Sequence, residues 1–408
     1  MVFVQMKEVN PMKRFFAALA LAVLLSGCAQ PAPASSAASP QAQPAKEWSV
    51  FPLGPASALT EQGFYSTDVI VEDGASVLTF YDFDQMAQRV VCDVPDCSHD
   101  SDACPAWKAG SHLFLLGDTL LSLGGPTDDD YDYIYLRRYD TDGHLVGTRT
   151  VLAGWELAGT FTDGQFLYGC IDGDLLYLDP DSGLETVIRR KFLPSSYSPI
   201  GTIENQIMWN GTDPEQPTQQ VLYRMEDDFS LTEFFRYDPS EVNLLCIDHD
   251  HLYWADMATG EIKSTDADGQ TQTLSTALSQ YIFTRPEDGW CSVQSWSGQV
   301  LGEKLLVDVL IEQTDLASTC FAINFSTGEA TICTLTDYWN GYAHPVAIWA
   351  ETDRGLLVSQ HEPVMRTTIG QDGCFATFES SRTLYGFIDA EDFFAGRPEY
   401  RMISSISI

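Results

Sequence analysis

Three observations predict an all-β protein, a β-propeller of about seven four-stranded blades, with six or eight also compatible with the spacing. The first is composition: 12% aromatic residues, among them 9 Trp and 17 Tyr, beside 30 Gly and 20 Pro in 408 residues. Aromatics fit pleated, half-buried surfaces, and Gly and Pro close turns. The second is periodicity: beyond the N-terminal segment no stretch sustains a helical repeat, and short apolar runs are broken by tight turns. The third is a strand–turn–strand phrase that returns about every 40 to 60 residues, the length of one blade. An apolar fraction of 44% supplies a core, and 22 Lys plus Arg against 58 Asp plus Glu leave a formal charge of −36. Such a charge excludes nucleic acid as a partner, because phosphate neutralisation needs a basic surface.

The chain opens with an export signal over residues 1–27. Lys13 and Arg14 precede an apolar run from Phe15 to Leu25. That run is too short to span a bilayer core, but it suits the apolar region of a secretory signal. The sequence Leu25-Ser26-Gly27-Cys28 resembles the lipobox of bacterial lipoproteins. The resemblance implies cleavage before Cys28, lipidation of its thiol, and anchoring to the outer face of the cytoplasmic membrane. Residues 28–47 then form a linker, with Pro31, Pro33, Pro40 and Pro44 among Ala, Ser and Gln. A segment with so little apolar content cannot offset its ordering entropy, so it reads as a disordered tether.

Residues 48–408 form the propeller domain. Its recurring turn is Tyr139-Asp140-Thr141-Asp142-Gly143, then Leu178-Asp179-Pro180-Asp181-Ser182-Gly183, Thr265-Asp266-Ala267-Asp268-Gly269 and Asn324-Phe325-Ser326-Thr327-Gly328. Looser copies surround Asp82-Phe83-Asp84 and Glu226-Asp227-Asp228, and a last unit is expected near residue 388. Asp and Asn close such turns with their own side chains, and Gly supplies positive φ. A second phrase, a short strand with an aromatic pair, stands before several of these turns: Phe166-Leu167-Tyr168, Ile207-Met208-Trp209 and Leu252-Tyr253-Trp254.

The sharpest local feature is Cys92, Cys97, His99 and Cys104, spaced Cys-x4-Cys-x-His-x4-Cys. It falls in a loop joining the first two blades. Three thiols and an imidazole suit a structural zinc. An exported chain equally permits a disulfide with the third thiol free, and redox or catalytic use is the third alternative. Cys320 and Cys333 flank the turn at Ser326 and face each other across it, as a cross-strand disulfide or as two buried thiols. Cys170, Cys246 and Cys291 sit in apolar strands and read as small buried hydrophobes.

Two segments interrupt the repeat. Pro286 to Lys304 carries Trp290 and Trp296; Thr336 to Pro345 carries Trp339, Asn340, Tyr342 and His344. Exposed aromatics beside amides stack on sugar rings or grip peptides, which makes these six residues candidate ligand contacts. Their alternative place is wedged between blades. The signatures Gly-x-Ser-x-Gly, His-Glu-x-x-His and Gly-x-x-x-x-Gly-Lys do not occur.

Leu252-Tyr253-Trp254-Ala255-Asp256, followed by Gly260, Ile262 and Asp268-Gly269, resembles one YWTD repeat of low-density-lipoprotein-receptor propellers, with Ala255 where the motif has Thr. The other blades are similar to PQQ-type and TolB-like propellers. The whole layout of lipobox, propeller and early Cys/His cluster resembles a group of lipoproteins from Gram-positive gut anaerobes. The resemblance implies a fold and a location but no activity, because fold does not set function. The expectation is a membrane-anchored propeller acting as a binding module for a peptide, glycan or envelope protein. The alternatives are a glycan-active hydrolase using carboxylates of the channel and a structural part of an envelope complex.

Overall fold

The computed structural model describes residues 47–406, apart from 52–56, 71–75, 280–291, 313–316, 370–374 and the positions 102, 108, 111, 128–129, 141, 158, 195, 249 and 340–341. The signal, Cys28 and nearly all of the linker therefore lie outside the described residues, as do Trp290, Cys291 and Asn340.

Seven antiparallel sheets follow one another along the chain as the blades of a propeller. Blade 1 spans Ser57–Leu59, Gly63–Ile70, Ser76–Asp82 and Ala87–Val90. Blade 2 runs from His112 to Leu152, blade 3 from Thr160 to Arg189, blade 4 from Ser198 to Tyr237 and blade 5 from Val242 to Ser275. Blade 6 comprises Ser292–Leu301, Lys304–Glu312, Ala317–Asn324 and Ala330–Cys333; blade 7 comprises Ala347–Thr352, Gly355–Ile369, Phe375–Ile388 and Arg401–Met402. Among the described residues the helices are two short pieces, Gly154–Leu157 and Ala390–Phe394.

The repeated turns connect the third and fourth strands of blades 1 to 6. In each, one side chain caps its own turn. Asp140 Oδ1 accepts from the backbone N–H groups of Asp142 and His144, Asp266 Oδ1 from Asp268 and Gln270, and Asn324 Oδ1 from Ser326 and Thr327. Blade 7 departs from the expectation: near residue 388 the turn is replaced by the helix Ala390–Phe394 and an extended return to Arg401.

The core is divided among the interfaces between blades. Seven clusters of buried apolar side chains each bridge two neighbouring blades, and the seventh joins blade 7 to blade 1 through Phe64, Tyr81, Tyr385 and Phe387. Successive side chains on a strand serve opposite interfaces. In blade 4, Ile207 and Trp209 face blade 3 while Met208 faces blade 5; in blade 5, Tyr253 faces blade 6 while Leu252 and Trp254 face blade 4. A sheet buried on both faces needs apolar residues at consecutive positions, which accounts for the Ile-Met-Trp and Leu-Tyr-Trp runs.

First strands pack against one another between blades 1 and 2, 4 and 5, and 5 and 6. Their backbones come close enough that glycine is required in places. A Cβ on Gly298 would stand 2.8 Å from Leu245 Cβ, and one on Gly201 would stand 2.9 Å from Ile247 Cβ. This corrects the expectation for Pro286 to Lys304. Residues 292–301 are the first strand of blade 6, and Trp296 is 4% exposed within the core between blades 5 and 6. Trp296 is therefore a packing residue and no loop ligand contact.

Two features tie the ring together. A short strand, Ser49–Phe51, adds to the first strand of blade 3 in the register Ser49 with Thr162 and Phe51 with Thr160. Trp48 beside it is buried against Phe161 and Tyr168, with ring centroids 5.5 and 5.2 Å away. At the other end, Ser404 forms a parallel bridge to Ala87 on the outer strand of blade 1. Arg354 of blade 7 donates to the carbonyl of Phe83 and pairs with Asp84 of blade 1.

Candidate functional sites

The Cys/His loop lies between the fourth strand of blade 1 and the first strand of blade 2. Its second half is welded to the sheet. Leu78 N donates to the Ala106 carbonyl at 2.9 Å, Val77 bridges Trp107, Arg137 donates to the Trp107 carbonyl at 2.8 Å, and Tyr139 OH donates to the Pro105 carbonyl at 2.9 Å. Cys104 is buried in the core between blades 1 and 2, with Cys92 and Cys97 packed against it. Asp96 and His99 both take positive φ, 54° and 58°, which turns the chain back so that the four side chains meet. One ligand atom from each of Cys92, Cys97, His99 and Cys104 lies within 4.8 Å of the other three. His99 Nδ1 and Cys104 Sγ are 3.2 Å apart.

These thiols are free. Burial pushes Cys104 up to about 12 and Cys92 upward. Three thiols and an imidazole converging at this distance are a donor set that a zinc ion takes. A disulfide would engage two of the three thiols and leave the third beside His99.

The second site is a cleft of about 370 Å³ between blades 6 and 7. Its roof is the hairpin Thr336–Trp339 and Tyr342–Pro345, inserted between the two blades. On that hairpin Asp337 and His344 are register partners, so they share a face. Both line the cleft together with Asp308 of blade 6 and His361 of blade 7. The Asp337 carboxylate accepts from the His361 backbone N–H at 3.1 Å and bonds to His361 Nδ1 at 2.5 Å. That bond orients the imidazole and favours the tautomer with the proton on Nδ1. Burial holds the Asp308 carboxyl above its ordinary range, opposed by a hydrogen bond with Cys320. Leu306, Val346 and Ile348 form an apolar wall.

Of the residues singled out in the sequence, His344 lines this cleft. Trp339 and Tyr342 face each other in register at the end of the roofing hairpin, but their side chains lie outside the described residues. Cys320 and Cys333 are register partners on adjacent strands, as their spacing suggested, and both are buried free thiols. Cys170 and Cys246 are half-buried at the edges of core clusters, with burial pushing the Cys246 thiol up to about 12 and the Cys170 thiol upward. Sequence reasoning missed Asp308, Asp337 and His361. Asp337 carried a usable signal, standing inside an interruption of the repeat. His361 carried none, being one of several polar residues in a 15-residue strand.

No family model matches the sequence, and no curated protein does. Solved structures with a similar fold include TolB from Acinetobacter baumannii, at 12% identity over 85% of this chain and 77% of that one, with a TM-score of 0.36. A puromycin-hydrolyzing peptidase of Mycobacterium tuberculosis is similar at 13% identity over 81% of this chain and 57% of that one, TM-score 0.41. Virginiamycin B lyase from Staphylococcus aureus is similar at 11% identity over 65% and 82%, TM-score 0.35. These are likenesses of fold at low identity, and the seven-blade assignment stands on the strand pairing described above.

Proposed function

We propose that this protein is an extracytoplasmic lipoprotein, anchored to the membrane through Cys28, whose propeller is a binding module for a peptide, glycan or envelope protein. The observation that carries the binding reading is the cleft between blades 6 and 7. It is built by an insertion that departs from the repeat, and it combines an apolar wall with convergent polar side chains, the usual make-up of a ligand site. Loops and insertions on a rigid scaffold are where function concentrates. Tyr338, 65% exposed on the same hairpin, extends the contact surface outward.

The test is to screen residues 46–408 on peptide and glycan arrays and map the bound face by amide hydrogen exchange. Protection of residues 336–345 and 355–361 supports the reading; a ligand that protects only another face overturns it. For the anchor, Cys28→Ser should release the protein into the medium, and a variant that stays with the membrane refutes lipid attachment there.

The Cys/His loop is assigned a structural zinc held by Cys92, Cys97, His99 and Cys104. The donor set is one that zinc takes, and its packing against two blades gives the metal a stapling role. Protein purified without chelator or reductant should carry one zinc per chain. Cys97→Ser and His99→Ala should each lose it and lower the melting temperature by several degrees, a shift on the order of 1–3 kcal/mol. Metal-free protein with Cys92, Cys97 or Cys104 in disulfides would show a covalent staple instead.

A further inference from the structure

We propose that Cys320 and Cys333 form a redox site: a dithiol that closes reversibly to a cross-strand disulfide, by exchange with a small organic disulfide entering through the cleft, and so pins the roofing hairpin to blade 6. The inference goes beyond the binding reading and does not depend on it. Cys320 on the third strand of blade 6 and Cys333 at the end of the fourth are direct register partners. Residues opposite each other in an antiparallel pair have Cα atoms about 4.5–5.5 Å apart, inside the span of about 4.4–6.8 Å that a disulfide bridges. Both are free thiols, 4% and 7% exposed, and they are hydrogen-bonded to each other. Among the described thiols they are the pair that stands face to face on neighbouring strands. Cys320 also lines the cleft between blades 6 and 7, so a small reagent reaches the pair from that side.

The chemistry balances as thiol–disulfide exchange. The hydrogen bond from Cys320 holds the Cys333 thiol below its ordinary value, and Lys304 acts the same way; that bond and burial push Cys320 upward. Cys333 therefore ionises first. Its thiolate attacks one sulfur of the incoming disulfide, and the other half leaves as a thiol with the proton that Cys333 released. The Cys320 sulfur then attacks the Cys333 sulfur, and the second half leaves with the Cys320 proton. Two protein thiols are oxidised to one disulfide, and one organic disulfide is reduced to two thiols. A metal fits less well. The described donor groups that gather by three or more within 4.8 Å are the Cys/His loop and the turn of Asp140, Asp142 and His144, and this pair is in neither. The roofing hairpin begins at Thr336, just beyond Cys333, and its second strand packs against Ala317–Asn324, the strand of Cys320. Cys320, Cys333, Leu335 and Val346 share one core cluster, and Val346 N donates to the Leu335 carbonyl at 3.2 Å. A bond between the two strands therefore fixes the base of the hairpin.

The test starts from the purified protein, reduced and then freed of reductant without air. It is exposed to 2-hydroxyethyl disulfide, its remaining thiols are alkylated, and it is digested for non-reduced peptide mapping. A peptide pairing Cys320 with Cys333 is expected, and dithiothreitol added to the folded protein should return both thiols. Amide exchange over residues 334–345 should be at least about threefold slower in the oxidised form, and the melting temperature several degrees higher. In Cys333→Ser and in Cys320→Ser, exchange over those residues should be the same with and without the reagent. Recovery of both wild-type thiols in reduced form, or pairing of either with another cysteine, overturns the proposal. A disulfide that dithiothreitol does not open in the folded protein is a permanent staple and overturns the reversible site. Equal exchange in the two wild-type forms, or a difference that persists in the serine variants, overturns its hold on the hairpin.

Discussion

Asp68 is where the chemistry of a single residue bears on the whole ring. Its carboxylate accepts from Tyr81 OH at 3.3 Å and is also hydrogen-bonded by Ser66 and Tyr385, so one acid links blade 1 to blade 7. Burial raises its pKa above the ordinary value, and the hydroxyl donors only partly offset this. The same burial, with the nearby negative charge, drives the Tyr81 and Tyr385 hydroxyls upward, so both stay protonated donors. With the folded-state pKa above the unfolded one, the native state binds the extra proton between the two values. The contribution of Asp68 to stability is therefore largest at acid pH and declines as pH rises through the folded value. Asp68→Asn should remove that dependence. Denaturation in urea should show the wild type losing stability relative to the variant as pH rises above about 4, the ordinary aspartate value. A constant difference across that range would show that the carboxylate is not under this stress.

At the scale of elements, much of the propeller was legible because its turns are local devices. Asp140, Asp179, Asp266 and Asn324 cap turns a few residues long, so sequence spacing and hydrogen bonding report the same thing. The looser copies were fainter because Met86 stands at positive φ where Gly183 and Gly328 stand elsewhere, and Phe229 where Gly143 and Gly269 do, so the glycine signal is missing. The Cys/His loop was legible in its donors and not in its state. The first strand of blade 6 was misread because Ser, Gln and Gly break its apolar alternation, the Gly298 position being required by the close approach of Leu245 in blade 5. The strand Ser49–Phe51 was invisible, since nothing within three residues specifies a partner at Thr160–Thr162. That strand is nonetheless structural. Trp48 donates its backbone N–H to Asn205 Oδ1 at 2.7 Å, and Phe51 packs edge-on against Phe114 at 5.0 Å. Trp48→Ala should cost about 3–5 kcal/mol, as large-to-small changes in cores do. A loss below about 1 kcal/mol in equilibrium unfolding would show that the added strand only decorates blade 3.

For the molecule as a whole, the issue is how a ring without a shared strand stays closed. Many rings could be closed by mixing the two chain ends in one blade; here blade 7 is made entirely of C-terminal strands. Closure falls to the aromatic cluster of Phe64, Tyr81, Tyr385 and Phe387, to Arg354 reaching Phe83 and Asp84, and to the tail from Ile403. The tail is stitched on both sides: Gln88 N of blade 1 donates to the Ser404 carbonyl at 2.8 Å, and Ile403 N donates to the Tyr385 carbonyl of blade 7 at 2.8 Å. Removing residues 403–408 exposes the edge of Ala87–Val90 and takes the buried Ile403 from its cluster. The truncated protein should melt at least about 5 °C lower and bind an apolar dye at blade 1. An unchanged melting curve would place closure in the aromatic cluster alone.

The added strand also sets an order of events during synthesis. Ser49–Phe51 is made first among the described strands, yet its hydrogen-bonding edge at Thr160–Thr162 does not exist until more than a hundred further residues have emerged. Asn205, which holds Trp48, comes later still. Blade 1 in turn cannot bury Phe64 and Tyr81 fully until the last blade arrives. Contacts so distant in sequence form slowly, because the intervening loop must be closed before they contribute. The start of this domain is thus an apolar, unpaired segment until its partners have been made, which is the state that chaperones bind.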